Sequence, residues 1–111
     1  MNNLLKKKCV PCEGGSIDPF LPEEIRNYMP DVPEWKLSDD SKSIYREFKF
    51  KDFIGAVNFV NNIADVAEEE GHHPDIHIYY NKVHLDLSTH AIGGLSENDF
   101  IVAAKIDAQH R

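Results

Sequence analysis

At 111 residues and a net charge of −7, the chain is long enough for one domain with a real core and offers no second one. The acidic balance argues against direct binding to nucleic acid, which needs clustered Lys and Arg; the only basic run is Lys6-Lys7-Lys8. No apolar segment approaches the roughly 20 residues that a membrane helix requires, and the N-terminus lacks the apolar core and cleavage site of a signal peptide, so the cytoplasm is the expected location.

Residues 1–20 carry Pro11, Gly14, Gly15 and Pro19 among polar residues, which predicts an extended lead-in with little core, followed by a single domain over 21–111. Cys9 and Cys12 form one Cys-x-x-Cys, half of a zinc site or a redox pair in principle. With no second pair and no strand-helix pattern around them, reduced thiols in a flexible segment are the favoured reading.

Pro22 suits the first position of a helix, and Glu23 and Glu24 complement the positive end of its dipole; Pro30 and Pro33 close it. Trp35 and Leu37 begin a short strand, Ser38-Asp39-Asp40-Ser41 is turn material, and Ile44, Phe48 and Phe50 mark one face of a second strand interrupted by Arg46. Asp52 is a plausible N-cap for a long helix with Phe53, Ala56, Val57, Val60, Ile63, Ala64 and Ala67 on one stripe. Phe59 and Val66 widen that stripe, which predicts contact with a second surface such as another subunit.

Gly71 fits the left-handed position past the helix end. Alternating Ile76, Ile78, Tyr80 and Val83, Leu85, Leu87 predict a hairpin turning at Asn81-Lys82. That turn sets Ile78 opposite Leu85, Ile76 opposite Leu87, Tyr79 opposite His84, His77 opposite Asp86, and His73 opposite His90 at the open end. After a loop over Ala91-Ile92-Gly93-Gly94-Leu95, Ser96-Glu97-Asn98-Asp99 resembles a capping box with Asp in place of Glu, opening a last helix with Phe100, Ala103, Ala104 and Asp107. The order helix, two strands, helix, two strands, helix predicts an α+β layer fold with antiparallel pairing and the helices on one face.

Five of the six histidines fall between residues 72 and 90, and the expected register brings His72, His73 and His90 to one mouth. Imidazole is the side chain best matched to proton transfer near neutral pH, so this convergence points to acid–base chemistry. A metal site at His73 and His77 is the competing reading; in a strand those residues stand about 13 Å apart, which counts against it, and no metal or cofactor is expected. Glu68, one turn before His72, either orients an imidazole or belongs to a solvated helix end. Asp99 reads first as a helix-cap partner, and His77, Asp86, Tyr79 and His84 as cross-strand pairs on the polar face. There is no phosphate-cradling Gly loop, no Gly-x-Ser-x-Gly elbow, and no cysteine beside these histidines.

Glu68-x-x-x-His72-His73-Pro74, Tyr80, Thr89-His90 and Asp99 together resemble the signature of the pterin-4a-carbinolamine dehydratases, known also as dimerization cofactors of a hepatocyte nuclear factor. Pro33-Glu34-Trp35, Phe48-Lys49-Phe50-Lys51-Asp52-Phe53, Tyr80-Asn81-Lys82-Val83-His84 and Leu87-Ser88-Thr89-His90 extend the resemblance over residues 20–108. It implies a four-stranded antiparallel sheet with three helices on one face, assembled as a homodimer or homotetramer. It also implies loss of water from a 4a-hydroxytetrahydropterin to give the quinonoid dihydropterin, serving aromatic amino-acid hydroxylases. By position, His72, His73 and His90 become the active-site histidines, with His72 and His90 as acid–base groups. Glu68 and Asp99 support them, and Pro74, Thr89, Ala91 and Ile92 contact the pterin. A protein-binding module, or a relative serving another pterin such as molybdopterin, are the alternatives.

Overall fold

The computed structural model describes residues 2–10 and 18–110. Cys12, Pro11, Gly14 and Gly15 lie outside them, so the Cys-x-x-Cys reading is confined to Cys9. Helix α1 runs over Pro22–Tyr28 with proline in its first turn, and Glu24 Oε1 accepts the Leu21 N–H at 2.9 Å. Strands β1 (Lys36–Leu37) and β2 (Ile44–Lys49) follow, then helix α2 (Phe53–Glu70), strands β3 (Asp75–Tyr79) and β4 (Lys82–Leu87), and helix α3 (Glu97–His110). The strands form one antiparallel sheet in the order β1-β2-β4-β3, and the expected α+β fold is the observed one.

The helices cover the face bearing Ile44, Phe48, Val83, Leu85 and Leu87, all buried together with Ile63, Phe100 and Ile106. Arg46 sits on that apolar face because its guanidinium lies 4.2 Å over the Phe48 ring and donates to Asp107 Oδ1 at 2.7 Å. Trp35 Nε1 donates to the same oxygen at 2.9 Å, tying the start of β1 to α3.

Asp52 caps α2 as expected, its Oδ1 accepting the Gly55 N–H at 2.8 Å, and Gly71 ends the helix at φ 67. The buried stripe differs from the expected one. Phe59, Ile63 and Val66 are buried in this chain's own core, whereas Phe53 and Ala64 face outward. Beyond the N-terminal segment and Leu21, the exposed large apolar side chains among the described residues are Phe53 and Ile54 at the start of α2, and Ile78, Tyr79 and Tyr80 at the β3 edge and its turn.

The hairpin register also differs by two residues. Ile76 pairs with Leu85, Ile78 with Val83, His77 with His84 and Asp75 with Asp86. Asn81 causes the shift: its carbonyl accepts the Phe50 N–H at 2.8 Å and its Nδ2 donates to the Phe50 carbonyl at 3.1 Å, extending the β2–β4 ladder into the turn. The turn is therefore Tyr80-Asn81, with Tyr80 at φ 55, a left-handed conformation costing a non-glycine residue about 1–2 kcal/mol that these bonds offset. Because the shift is even, every side chain keeps its face, but the expected pairs of His77 with Asp86, Tyr79 with His84 and His73 with His90 do not form.

The lead-in is no simple extended tail. Residues 4–6 form a 3-10 turn, Leu4 is buried, and Lys7 pairs with Glu97 on α3 at 2.7 Å. This covering segment explains why α3 buries Ile101 and Val102 as well as Phe100, Ala103 and Ile106, more of its circumference than one stripe against a sheet would need.

Candidate active site

Three local structures meet at one end of the sheet: the end of α2, the chain leaving β4, and the start of α3. Gly71 turns the chain out of α2 so that His72 and His73 emerge beside the β4 exit, where Thr89 pairs back to Gly94 through its N–H at 2.8 Å. The intervening residues His90–Ile92 make a 3-10 turn closed by Gly93 at φ 68. Gly94 lies so close to Pro19 that a Cβ there would stand 2.9 Å from the Pro19 Cβ, so only glycine lets this loop close against the lead-in.

Between these segments lies a cleft of about 520 Å³ lined by His72, His73, Ser88, Thr89, His90 and Ala91, with Glu70, Gly71, Asn98, Cys9 and Val10. The three histidines expected to converge therefore share one cavity. Ladder pairing is not what unites them; the loop after β4 carries His90 to the others.

The histidines are held differently. His72 is mostly covered, 13 % exposed at its side chain, and its Nε2 lies 2.6 Å from Oδ1 of Asp99, whose side chain is wholly buried. Asp99 Oδ2 accepts the Ser96 N–H at 3.0 Å, the expected capping contact, and the Thr89 hydroxyl at 2.8 Å. Since Thr89 spends its proton on the carboxylate, it accepts from the Ser96 hydroxyl at 2.8 Å, and Ser96 Oγ accepts the Asn98 N–H at 3.2 Å. Asp99 is thus both cap and orienter of His72. Glu68 serves the other ring: its Oε2 lies 2.5 Å from His73 Nε2, with both side chains more than half exposed. His90 is the most open, 76 % exposed, with its Nε2 at 4.0 Å from Asp75 Oδ2.

Of the other residues singled out from the sequence, Thr89 and Ala91 line the cleft, whereas Glu68, Pro74, Ile92 and Asp99 stand outside its wall. Pro74 is buried behind the histidines, and His84 stacks on Tyr45 with ring centroids 5.6 Å apart on the uncovered sheet face. Among the described residues no cluster of three or more His, Cys, Asp or Glu converges on a point that could hold a metal ion.

Sequence reasoning missed Glu70, Asn98, Cys9 and Val10. Burial works against the Glu70 charge, but Lys105, donating to Oε2 at 2.5 Å, and the Cys9 N–H outweigh it, so its carboxyl titrates below the usual range. Burial, reinforced by Glu70, pushes the Cys9 thiol up to about 12, so it stays protonated. Glu70 looked like one more acid in Glu68-Glu69-Glu70, and Asn98 was hidden inside the capping box.

Fold and cleft together define a small α+β protein with an imidazole-lined ligand site. Residues 18–109 match the sequence model of the family described as Pterin 4 alpha carbinolamine dehydratase. A relative from Halorhodospira halophila, named provisionally as such a dehydratase, is 49 % identical over 106 residues, 96 % of each chain. The Arabidopsis thaliana protein named pterin-4-alpha-carbinolamine dehydratase 2, mitochondrial, is 41 % identical over 108 residues, covering 95 % of this chain and 58 % of its own length. The crystal structure of a Brucella melitensis protein described as a transcriptional coactivator/pterin dehydratase superposes with a TM-score of 0.77 at 34 % identity, over 82 % of this chain and 97 % of that one. The chain belongs to the pterin-4a-carbinolamine dehydratase family, a family of hydro-lyases. Among the described residues no helix is long and apolar enough to cross a membrane.

Proposed function

We propose that this cleft removes water from a 4a-hydroxytetrahydropterin to give the quinonoid dihydropterin, recycling the cofactor of aromatic amino-acid hydroxylases. The observation that carries the reading is the buried Asp99 carboxylate holding His72 Nε2 at 2.6 Å on the wall of a cavity shared with His73 and His90. At about 520 Å³ the cavity falls within the range of roughly 300–1,000 Å³ usual for small-molecule sites and suits a flat bicycle.

In the reaction the C4a–O bond breaks, the hydroxyl leaves as water with one added proton, and the N5–H proton departs as the C4a=N5 bond forms. One group must give a proton and one must take one. With Asp99 accepting from Nε2, His72 keeps its Nδ1 lone pair, and the carboxylate stabilises the imidazolium that forms; it is the base for N5–H. His90, open at the rim, delivers the proton to the departing hydroxyl. His73, paired with Glu68, holds the ring, with Thr89 and Ala91 lining the pocket around it.

The test is a hydroxylase-coupled assay that generates the 4a-hydroxypterin in place. Its loss should accelerate in proportion to added protein; a rate no faster than the spontaneous dehydration refutes the reading. Supplying a molybdopterin-type pterin as competitor separates the alternative substrate. A second reading, a protein-binding module, is favoured by the exposed Ile78, Tyr79 and Tyr80 along the β3 edge. Homodimer or homotetramer assembly through such apolar surface, a cytoplasmic location and a functional link to a hydroxylase belong to the same proposal.

A further inference from the structure

The lead-in is held at the cleft by bonds to the backbone of Cys9 and Val10. Asn98 Oδ1 accepts the Val10 N–H at 3.0 Å and its Nδ2 donates to the Val10 carbonyl at 2.7 Å, so one buried amide grips both backbone groups of one residue. Glu70 Oε1 accepts the Cys9 N–H at 2.9 Å, and Lys105 fixes that carboxylate from behind. The Cys9 thiol points at the Asn98 carbonyl, 3.6 Å away. Lys7 pairs with Glu97 at the start of α3, and buried Leu4 anchors the same segment.

Glu70 and Asn98 are both buried and both polar, and each directs its side chain at this strap. A tail with no task needs neither clamp, since exposed backbone is satisfied by water. Held in place, Cys9 and Val10 line the same cleft as His72, His73 and His90, and Val10 is 56 % exposed.

We propose that Cys9 and Val10 are a fixed wall of the ligand site, clamped by Glu70 and Asn98, which sets how tightly and in what orientation a pterin is held without taking part in the proton transfers. The proposal rests on the pterin reading of the cleft. Asn98 is then a positioning residue acting through Val10, and Val10 a binding residue. Because the wall contacts the ligand equally before and during reaction, weakening it raises KM and leaves kcat nearly untouched.

The full chain, Asn98→Ala, Val10→Ala and Val10→Asp are compared in the coupled assay, and by calorimetric binding of 7,8-dihydrobiopterin, which has no hydroxyl to lose. Val10 is exposed, so its variants test the wall without endangering the fold. Asn98→Ala and Val10→Asp should raise KM and Kd by about tenfold, with kcat within about twofold, and Val10→Ala should give a smaller rise. Parent-like KM and Kd in Asn98→Ala and Val10→Asp overturn the proposal while leaving the dehydratase reading intact. A parent that binds the pterin but does not turn over defeats the dehydratase reading alone; a parent that binds no pterin defeats both.

Discussion

Asp99→Asn isolates the group on which the proposed chemistry depends, because it changes charge and proton count while keeping shape. The carboxylate accepts from Ser96 N–H and Thr89 Oγ on one oxygen and faces His72 Nε2 with the other. An asparagine can keep its oxygen toward Ser96 and Thr89 only by turning its NH₂ to His72. That reverses the bond: Nε2 must then accept, the proton moves to Nδ1, and the nitrogen available to the ligand can no longer act as a base. Loss of a positioned base costs about 10²–10⁴ in rate, so kcat should fall at least about 100-fold. Replacing a charge-assisted bond to a fully buried acceptor should destabilise by about 1.5–3 kcal/mol, leaving the chain folded at room temperature. Turnover from the coupled assay is set against thermal melts of parent and variant. His72→Gln supplies an independent check on the same ring should the asparagine variant fold poorly. If Asp99→Asn and His72→Gln both turn over within a few-fold of the parent, His72 is not the base and the assigned mechanism is wrong.

Four further outcomes are expected. His90→Ala should lower kcat by about 10², His73→Ala should chiefly raise KM, and His84→Ala on the uncovered sheet face should cost roughly 0.2–1 kcal/mol with turnover unchanged; equal losses in His84→Ala and His90→Ala would contradict the assignment. Glu70 titrates below its ordinary 4.5, so its contribution to stability is complete above that pH and disappears as pH falls through its folded-state value; acid denaturation curves of Glu70→Gln should therefore be flatter than the parent's below about pH 4.5, and parallel curves argue against the clamp. Light scattering should give a dimer or tetramer mass, reduced by Ile78→Lys on the β3 edge, and a monomeric parent removes the assembly proposal. Activity should survive a chelator; loss on chelation with recovery on adding a metal back contradicts metal-free acid–base chemistry.

What could be read from residues alone followed from local rules. Pro22, Asp52, Gly71 and the Ser96–Asp99 box marked helix ends because caps act within a few residues, and period-two alternation marked β3 and β4. The register escaped because Asn81 is fixed by Phe50, 31 positions away, a contact no local pattern encodes. Glu68 was matched to His72 by helical spacing, yet Gly71 ends the helix first and the carboxylate meets His73 instead. The same long reach hid the strap: Val10 and Asn98 are 88 positions apart, and neither has a neighbour in sequence that announces the other.

The hydroxyl chain behind His72 also limits where protons can travel. Asn98 N–H gives to Ser96, Ser96 gives to Thr89, and Thr89 gives to Asp99, so every step points toward the carboxylate and none leads away from it. The chain begins at a backbone amide, which cannot release its proton under ordinary conditions. Among the described residues, this chain of bonds therefore gives the proton no exit. If His72 is the base, a proton it takes from a ligand is not passed on along this chain, and each turnover discharges the imidazole into the cleft, to the departing water or to solvent at the rim. Product release and resetting of the base share one opening, and a ligand that blocks that opening stops both.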